Sequence, residues 1–539
     1  VAWTRAALAL VAAGAVALVL VSGGSPADPR TPARLPGLAP PFLGTAVVGD
    51  GGLTAAIDAY GDVVDLRAPG PAGRALIDNP AARQTVGSVA ADTGIVPRLS
   101  WASAKGFAAY RPTNPSSSAG EPPWRADSVT QRYLPGTNVV RTVARFGSAR
   151  LTVVYAARGS RLACLTSVRA PRGEHTRVSI AAADPRAADR LRCDDRAARD
   201  LVEGAARSDR RWLGRARPLG PGAPAWARRL YERSLLTLRA LTNAGTGAVA
   251  AGARDGWAYV WPRDAATAAL AYAAAGYRPE ARRVARFLLS LNLGAAARFH
   301  GDGTPVAGRG PQGDAAGWVA VAAHAAGRPA RPPAQPRRDL PDYQEGAPGR
   351  YLANAIAAVA AAAGPRASIY GPSPTRRRLE TRLKSEFVTA RGVMREPDPR
   401  SGLDSAAAWA VRPFGLPLLY PPARRTLLHL AGVGASTPPA SRFGIVPSER
   451  WPGAEPWTAP TAWSAWSLAA LATREDEHPA AAHRDRRAAL RLLADLRRAA
   501  TPAGALPERV DARTGIPTST TPLAWSAAFA VLALRELWP

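Results

Sequence analysis

Lysine is almost absent from this chain. Of 70 basic residues only Lys105 and Lys384 are Lys, leaving 68 Arg, and Met occurs once. The formal net charge of +29 taken alone suggests nucleic acid or an anionic surface as partner. The arginines, however, are spread along the chain instead of forming one basic arm, and Ala is abundant, as in GC-rich coding. No nucleic-acid role is therefore expected. Cysteine is nearly as scarce, with only Cys164 and Cys193. Two thiols and six scattered histidines without ligand spacing exclude a structural zinc site. In an exported protein the two cysteines either form a disulfide closing a loop of about 30 residues or stay as buried thiols; both readings stand.

Long apolar runs are also few. The one at Ala6–Val21 follows Arg5 and precedes Ser22, Gly23 and Gly24. It is short for a bilayer span, so residues 1–25 are expected to be a signal peptide or a membrane anchor, and the protein secreted or held at the outer face of the cytoplasmic membrane. Residues 26–41, rich in Pro, Arg and Ala, make a linker.

What the chain has in quantity is hydrophobic residues, 47% over 539 positions, enough for more than one core. Residues 42–207 have a β pattern. Leu53–Ile57 and Val63–Leu66 flank the turn signal Tyr60-Gly61-Asp62, and Val139–Phe146, Leu151–Ala156, Leu162–Val168 and Thr176–Ala181 follow at roughly even spacing. An antiparallel β-sandwich is expected. Residues 208–222 are Arg- and Pro-rich and are expected to be an interdomain linker. From 223 to 539 the period becomes helical, with about a dozen helices. Several, such as Ala353–Ala363, are apolar all round and so buried on every side. An inner ring wrapped by an outer ring fits this better than a solenoid, since no fixed-length repeat is visible.

Three loops of the helical half stand out. In Trp257-Ala258-Tyr259-Val260-Trp261-Pro262-Arg263-Asp264, Pro262 opens a helix and sets Arg263 and Asp264 in its first turn beside aromatic rings. Rings that stack on a pyranose beside a charged fork for hydroxyls would make a sugar site; a helix cap with an ordinary ion pair is the alternative. Asp342-Tyr343-Gln344-Glu345 and Leu506-Pro507-Glu508-Arg509 each carry a loop Glu beside Pro or apolar residues. Glycoside hydrolysis needs two such carboxylates, one protonated and one ionised. Of the 15 Trp, many stand next to loops of the helical half, at 257, 261, 318, 409, 451, 457, 463 and 525.

These stretches, with Gln312-Gly313-Asp314-Ala315-Ala316-Gly317, Gly402-Leu403-Asp404, Gly453-Ala454-Glu455-Pro456-Trp457 and Pro522-Leu523-Ala524-Trp525-Ser526, resemble the bacterial members of glycoside hydrolase family 15. These are glucoamylase-like, glucodextranase-like and trehalase-like proteins. The resemblance implies a multi-domain β + α chain, an N-terminal antiparallel β-sandwich followed by an (α/α)6 toroid. It implies inverting, exo-acting hydrolysis of α-glucosides, with Glu345 as general acid and Glu508 as general base. Arg263 and Asp264 would hold the terminal glucose, with Trp261 and Trp457 shaping its site. It implies a carbohydrate substrate, no metal, no cofactor, and a monomer. The chain departs from the pattern in having Gln344 where members carry Trp before the acid, and Ile445 and Val446 where an Arg-Tyr pair is usual. Either Arg442 or Arg450 would replace that Arg, or one sugar contact is missing. A glycan-binding protein of the same fold with impaired turnover is the alternative these departures raise.

Overall fold

The computed structural model describes residues 37–39, 43–78, 95–103, 106–110, 126–146, 149–170, 175–182, 185–254, 256–328, 339–362, 373–433, 441–474 and 478–539. The expected signal or anchor at 1–25 and most of the linker at 26–41 lie outside them. No helix among the described residues is long and apolar enough to cross a membrane.

The N-terminal strands are β1 (Gly44–Gly49), β2 (Thr54–Asp58), β3 (Val63–Ala68), β4 (Arg74–Asp78), β5 (Ile95–Ser103) and β6 (Gly106–Tyr110). They continue as β7 (Ser128–Tyr133), β8 (Val140–Phe146), β9 (Ala149–Arg158), β10 (Arg161–Arg169), β11 (His175–Ala182) and β12 (Leu191–Cys193). One sheet runs β1-β2-β3-β5-β11, with β4 on β3 and β6 on β5; the other runs β12-β10-β9-β8-β7. Val48 and Ile57 of the first share one core with Val153 and Leu162 of the second, which makes the pair a sandwich. All pairings are antiparallel except β10 with β12, which is parallel and sets Cys164 opposite Cys193. Both cysteines are free thiols.

A short helix α1 (Pro185–Ala188) precedes β12, and α2 (Arg196–Leu213) follows it. α2 occupies residues expected to be β-domain up to 207 and linker from 208. Asp195 caps it by accepting from the Ala198 N–H at 2.6 Å. Its Ala198, Val202, Ala205 and Ala206 pack on Val139, Ala156 and Ala163 of the sandwich. That i, i+4, i+7, i+8 stripe is narrow and set among arginines, which gives the segment a linker-like composition.

The helical half comprises α3 (Ala225–Ala240), α4 (Pro262–Ala274), α5 (Arg278–Leu289), α6 (Ala315–Ala325), α7 (Leu352–Ala361) and α8 (Pro374–Phe387). After these come α9 (Ala407–Val411), α10 (Tyr420–Leu430), α11 (Thr458–Ala472), α12 (Pro479–Ala499) and α13 (Ala524–Leu537). Helices α4, α6, α7, α9, α11 and α13 each pack on the next, and α13 returns to α4, closing a ring of six. These are the helices built from Ala, Val, Leu and Trp and buried nearly all round. The amphipathic α3, α5, α8, α10 and α12 cover them. This is the α/α toroid, with five outer helices among the described residues because none lies between α6 and α7. α6 and α7 approach so closely that a Cβ on Gly317 would collide with the Ala357 carbonyl.

The middle of the ring is filled with aromatic rings. Trp318 and Trp409 lie 5.0 Å apart between centroids, and Trp463 and Trp525 4.9 Å apart. Tyr343 touches the same cluster, 5.4 Å from both Trp409 and Trp463. The sandwich and ring join through polar contacts. Asn138 Nδ2 donates to the Leu236 carbonyl at 2.9 Å, Arg239 pairs with Asp209 at 2.7 Å, and Arg233 lies over the Tyr133 ring at 3.6 Å.

Candidate active site

The loops at one end of the ring enclose a cavity of about 280 Å³. All six residues expected to act on a sugar line it: Trp261, Arg263, Asp264, Glu345, Trp457 and Glu508. They are joined there by Trp257, Trp451, Trp525, Arg309, Arg509 and Gln344.

The first wall is the N-terminus of α4. Val260 exchanges backbone bonds with Phe299, at 2.8 and 2.9 Å, which fixes the approach to the helix. Trp261 is its N-cap residue and Pro262 its first residue, so Arg263 and Asp264 sit in the first turn. The Arg263 guanidinium donates to Gln312 at 2.9 Å and to Asp314 at 2.8 Å, and stacks 4.6 Å from the Trp525 ring centroid. Its Nε is 3.8 Å from Asp264. Burial pushes the Asp264 carboxyl up to about 7; Arg263 pulls against that, while the Glu508 and Asp314 carboxylates add to it.

The second wall is the turn bearing Glu345. The Glu345 N–H donates to the Asp342 carbonyl at 3.0 Å, and Glu345 itself takes a left-handed φ of 58°. A non-glycine residue there is uncommon and costs energy, about 1–3 kcal/mol in such regions. The turn is pinned from below. Tyr343 donates to Asp404 at 2.9 Å, Gln344 Nε2 donates to the other Asp404 oxygen at 2.9 Å, and Ser448 donates to Gln344 Oε1 at 3.2 Å. Arg395 reaches Asp342 at 3.3 Å. Burial, then the neighbouring Asp342 charge, pushes the Asp404 carboxyl up to about 7, against the pull of the Ala406 N–H, Arg395 and Tyr343. The Glu345 carboxylate meets the Arg309 guanidinium.

The third wall carries Glu508. Its N–H donates to the Thr520 carbonyl at 2.9 Å, and its own carbonyl accepts from Thr458 at 3.0 Å. Its carboxylate accepts from Trp257 Nε1 at 3.4 Å and from the Ser519 hydroxyl, and Arg509 Nε lies 3.6 Å away. Trp457, on the next backbone segment, stands edge-to-face with Trp451 at 5.0 Å.

Two readings of the sequence are narrowed here. Trp318, Trp409 and Trp463 belong to the filled centre of the ring and do not reach the cavity, since large rings at those helical positions are needed to close the core. Neither Arg442 nor Arg450 lines the cavity. Arg442 is exposed and lies over the Phe443 ring at 4.9 Å. Ile445 is buried, and its carbonyl accepts from Trp457 at 2.9 Å, so that position serves the backbone. Beside Arg263, the cavity's cations are Arg309 and Arg509. Arg309 was not anticipated; the only sequence trace of it is an Arg between Gly308 and Gly310, just ahead of Gln312.

The arrangement provides two glutamates, an aspartate and several indole faces around one sugar-sized space, the equipment for acid–base cleavage of a glycosidic bond. The family described as "Glycosyl hydrolases family 15" matches residues 225–317. Among solved structures, a wild-type glycosidase is 22% identical, covering 58% of this chain and 97% of its own, at a TM-score of 0.44. The glucoamylase of Saccharomycopsis fibuligera is 17% identical over 58% of this chain and 94% of its own, at 0.45. The family 15 glucoamylase of Hypocrea jecorina is 16% identical over 57% and 70%, at 0.42. No curated protein matches the chain by sequence.

Proposed function

We propose, from the match of residues 225–317 to the family described as "Glycosyl hydrolases family 15", that this chain is an exo-acting α-glucoside hydrolase working by inversion. Its substrate is an α-glucan or a related α-glucoside, and its product β-glucose from the non-reducing end. The observation that carries this reading is the presence of Glu345 and Glu508, 163 positions apart in the chain, on two loops of one cavity.

In this mechanism the terminal glucose sits against Trp261 and Trp457, with Arg263 and Asp264 on its hydroxyls. Glu345 gives its proton to the glycosidic oxygen as the bond to the anomeric carbon breaks. Glu508 takes a proton from a water that attacks that carbon from the other face, so the configuration inverts. Trp257 and Ser519 orient the Glu508 carboxylate for that task. Export to the outer side of the cytoplasmic membrane goes with this reading, on the strength of the Ala6–Val21 run.

A second reading, glycan binding with impaired turnover, has one observation in its favour: the Glu345 carboxylate is engaged by Arg309. Anomer-resolved proton NMR with maltose, isomaltose, trehalose and dextrin separates the two. Early β-glucose, lost about 100-fold or more in both Glu345→Gln and Glu508→Gln, is the expected result. Tight sugar binding without any glucose, or glucose release unchanged in both variants, refutes the hydrolase reading.

A further inference from the structure

Arg309 raises a problem of charge. Each of the cavity's other two arginines faces a carboxylate other than the proposed acid: Arg263 faces Asp314 at 2.8 Å, and Arg509 faces Glu508 at 3.6 Å. The ion pair of Arg309 is with Glu345, the carboxylate that must carry a proton if it is the acid. Guanidinium keeps its charge at any working pH. Protonating Glu345 therefore takes away the direct partner of Arg309 and leaves it with the attraction of the Glu508 carboxylate against the repulsion of Arg298.

Depth tells which part of a substrate meets this cation. The Glu508 side chain is 15% exposed, whereas Glu345 and Arg309 are 37% and 41% exposed. Trp261 and Asp264, at 6% and 4%, are deeper still. The glucose to be released occupies the inner end, and the leaving group lies at the mouth beside Glu345 and Arg309. Arg309 is aimed there from a fixed loop: its carbonyl accepts from Ala297 at 3.2 Å, and the same loop is tied to the sandwich by Gly301 donating to Ala72 at 3.0 Å.

We infer that the preferred substrate has an anionic leaving group: an α-glucoside whose departing portion bears a carboxylate or a phosphate, which takes the Arg309 fork as Glu345 gives it up. Both anions match the planar guanidinium through paired hydrogen bonds. The substrate thus supplies the counter-charge whose transfer frees the acid. This deepens, and rests on, the α-glucoside hydrolase reading.

Two matched pairs test it. Maltobionate and maltitol differ by a carboxylate against a hydroxymethyl on the leaving portion, and trehalose 6-phosphate differs from trehalose by its phosphate. Glucose release (kcat/KM) and calorimetric Kd are measured for the wild type, Arg309→Gln and Arg309→Lys. One charged member is expected to exceed its neutral match by about 10-fold or more, with the advantage shrinking as salt rises. Which pair shows it identifies carboxylate or phosphate. Arg309→Gln should erase the advantage and Arg309→Lys restore part of it, a recovery that a folding defect would not produce. The inference is overturned if neither charged member beats its match in rate or affinity, or if the advantage survives in folded Arg309→Gln. If no sugar yields glucose, the hydrolase reading fails, and the ranking of Kd values still decides the role of Arg309.

Discussion

Asp404 makes stability depend on pH in a direction opposite to the usual paired carboxylate, and Asp404→Asn isolates the effect. Its folded carboxyl stands at about 7 against an ordinary 3.8. The folded protein therefore holds a proton that the unfolded chain releases. Such a group contributes its stability in full below pH 3.8 and loses it as pH rises through 7. Between pH 5 and 8 the loss is about 2 units at 1.36 kcal/mol each, or about 3 kcal/mol. Asn has the shape of the neutral acid and does not titrate, so this loss is absent from the variant. For 539 residues the unfolding entropy near the midpoint is about 1.1 kcal/mol/K, so the difference corresponds to about 3 °C in Tm. Calorimetric scans of both proteins at pH 5 and pH 8 give the comparison. The variant's Tm, relative to wild type, should rise by about 3 °C from the lower to the higher pH. A relative Tm that stays level within about 1 °C, or moves the other way, refutes the argument.

Asp264 titrates in the same range, at about 7, but faces the cavity. Ionised, it accepts hydroxyl bonds from the sugar, so wild-type affinity for glucose should fall as pH drops below 7. Asp264→Asn should bind about 10-fold more weakly at pH 8 and show no such slope in a calorimetric pH series; parallel profiles for the two proteins would contradict this. Gly317→Ala places a methyl against the Ala357 carbonyl where α6 and α7 meet. Overpacking of about 1–3 kcal/mol should lower the calorimetric Tm, and a Tm equal to or above wild type would show that the helices can part without cost.

The parts of this protein legible from sequence are those where one physical constraint dominates. A helix enclosed on all sides must be apolar on all sides, and the inner ring advertised itself in that way at Ala353–Ala363 and again at the start of α4. The helix α2 did not, because its buried stripe is only a small residue or Val every turn and most of the remainder is charged or polar. The candidate site residues were legible because loop Glu beside Pro, and Arg-Asp at a helix start, are local patterns. Their convergence depends on ring closure, which puts residues 345 and 508 on one cavity. Arg309 left almost no trace, since one arginine among 68 is conspicuous only once its place beside Glu345 is known. The tryptophans misled in part for the opposite reason: Trp318, Trp409 and Trp463 lie near the functional motifs in sequence, yet their side chains point into the core.

Gln344 shows how the Glu345 turn keeps its shape without an aromatic residue before the glutamate. A ring at that position would hold the turn by packing and by excluding water. Here a polar lattice holds it: Gln344 donates to Asp404 and accepts from Ser448, Tyr343 donates to Asp404, and Asp404 accepts in addition from Ala406 at 2.7 Å. Directional bonds to a buried carboxylate fix a conformation more narrowly than apolar contact does, which suits a residue held at a φ of 58°. The substitution also moves control of the turn onto a titrating group. As pH rises through 7 and Asp404 ionises, the donors from Tyr343 and Gln344 bind a full negative charge and tighten. Stability falls over that interval while the turn stiffens, so the stability of the whole chain and the rigidity of its proposed acid respond to pH in opposite senses.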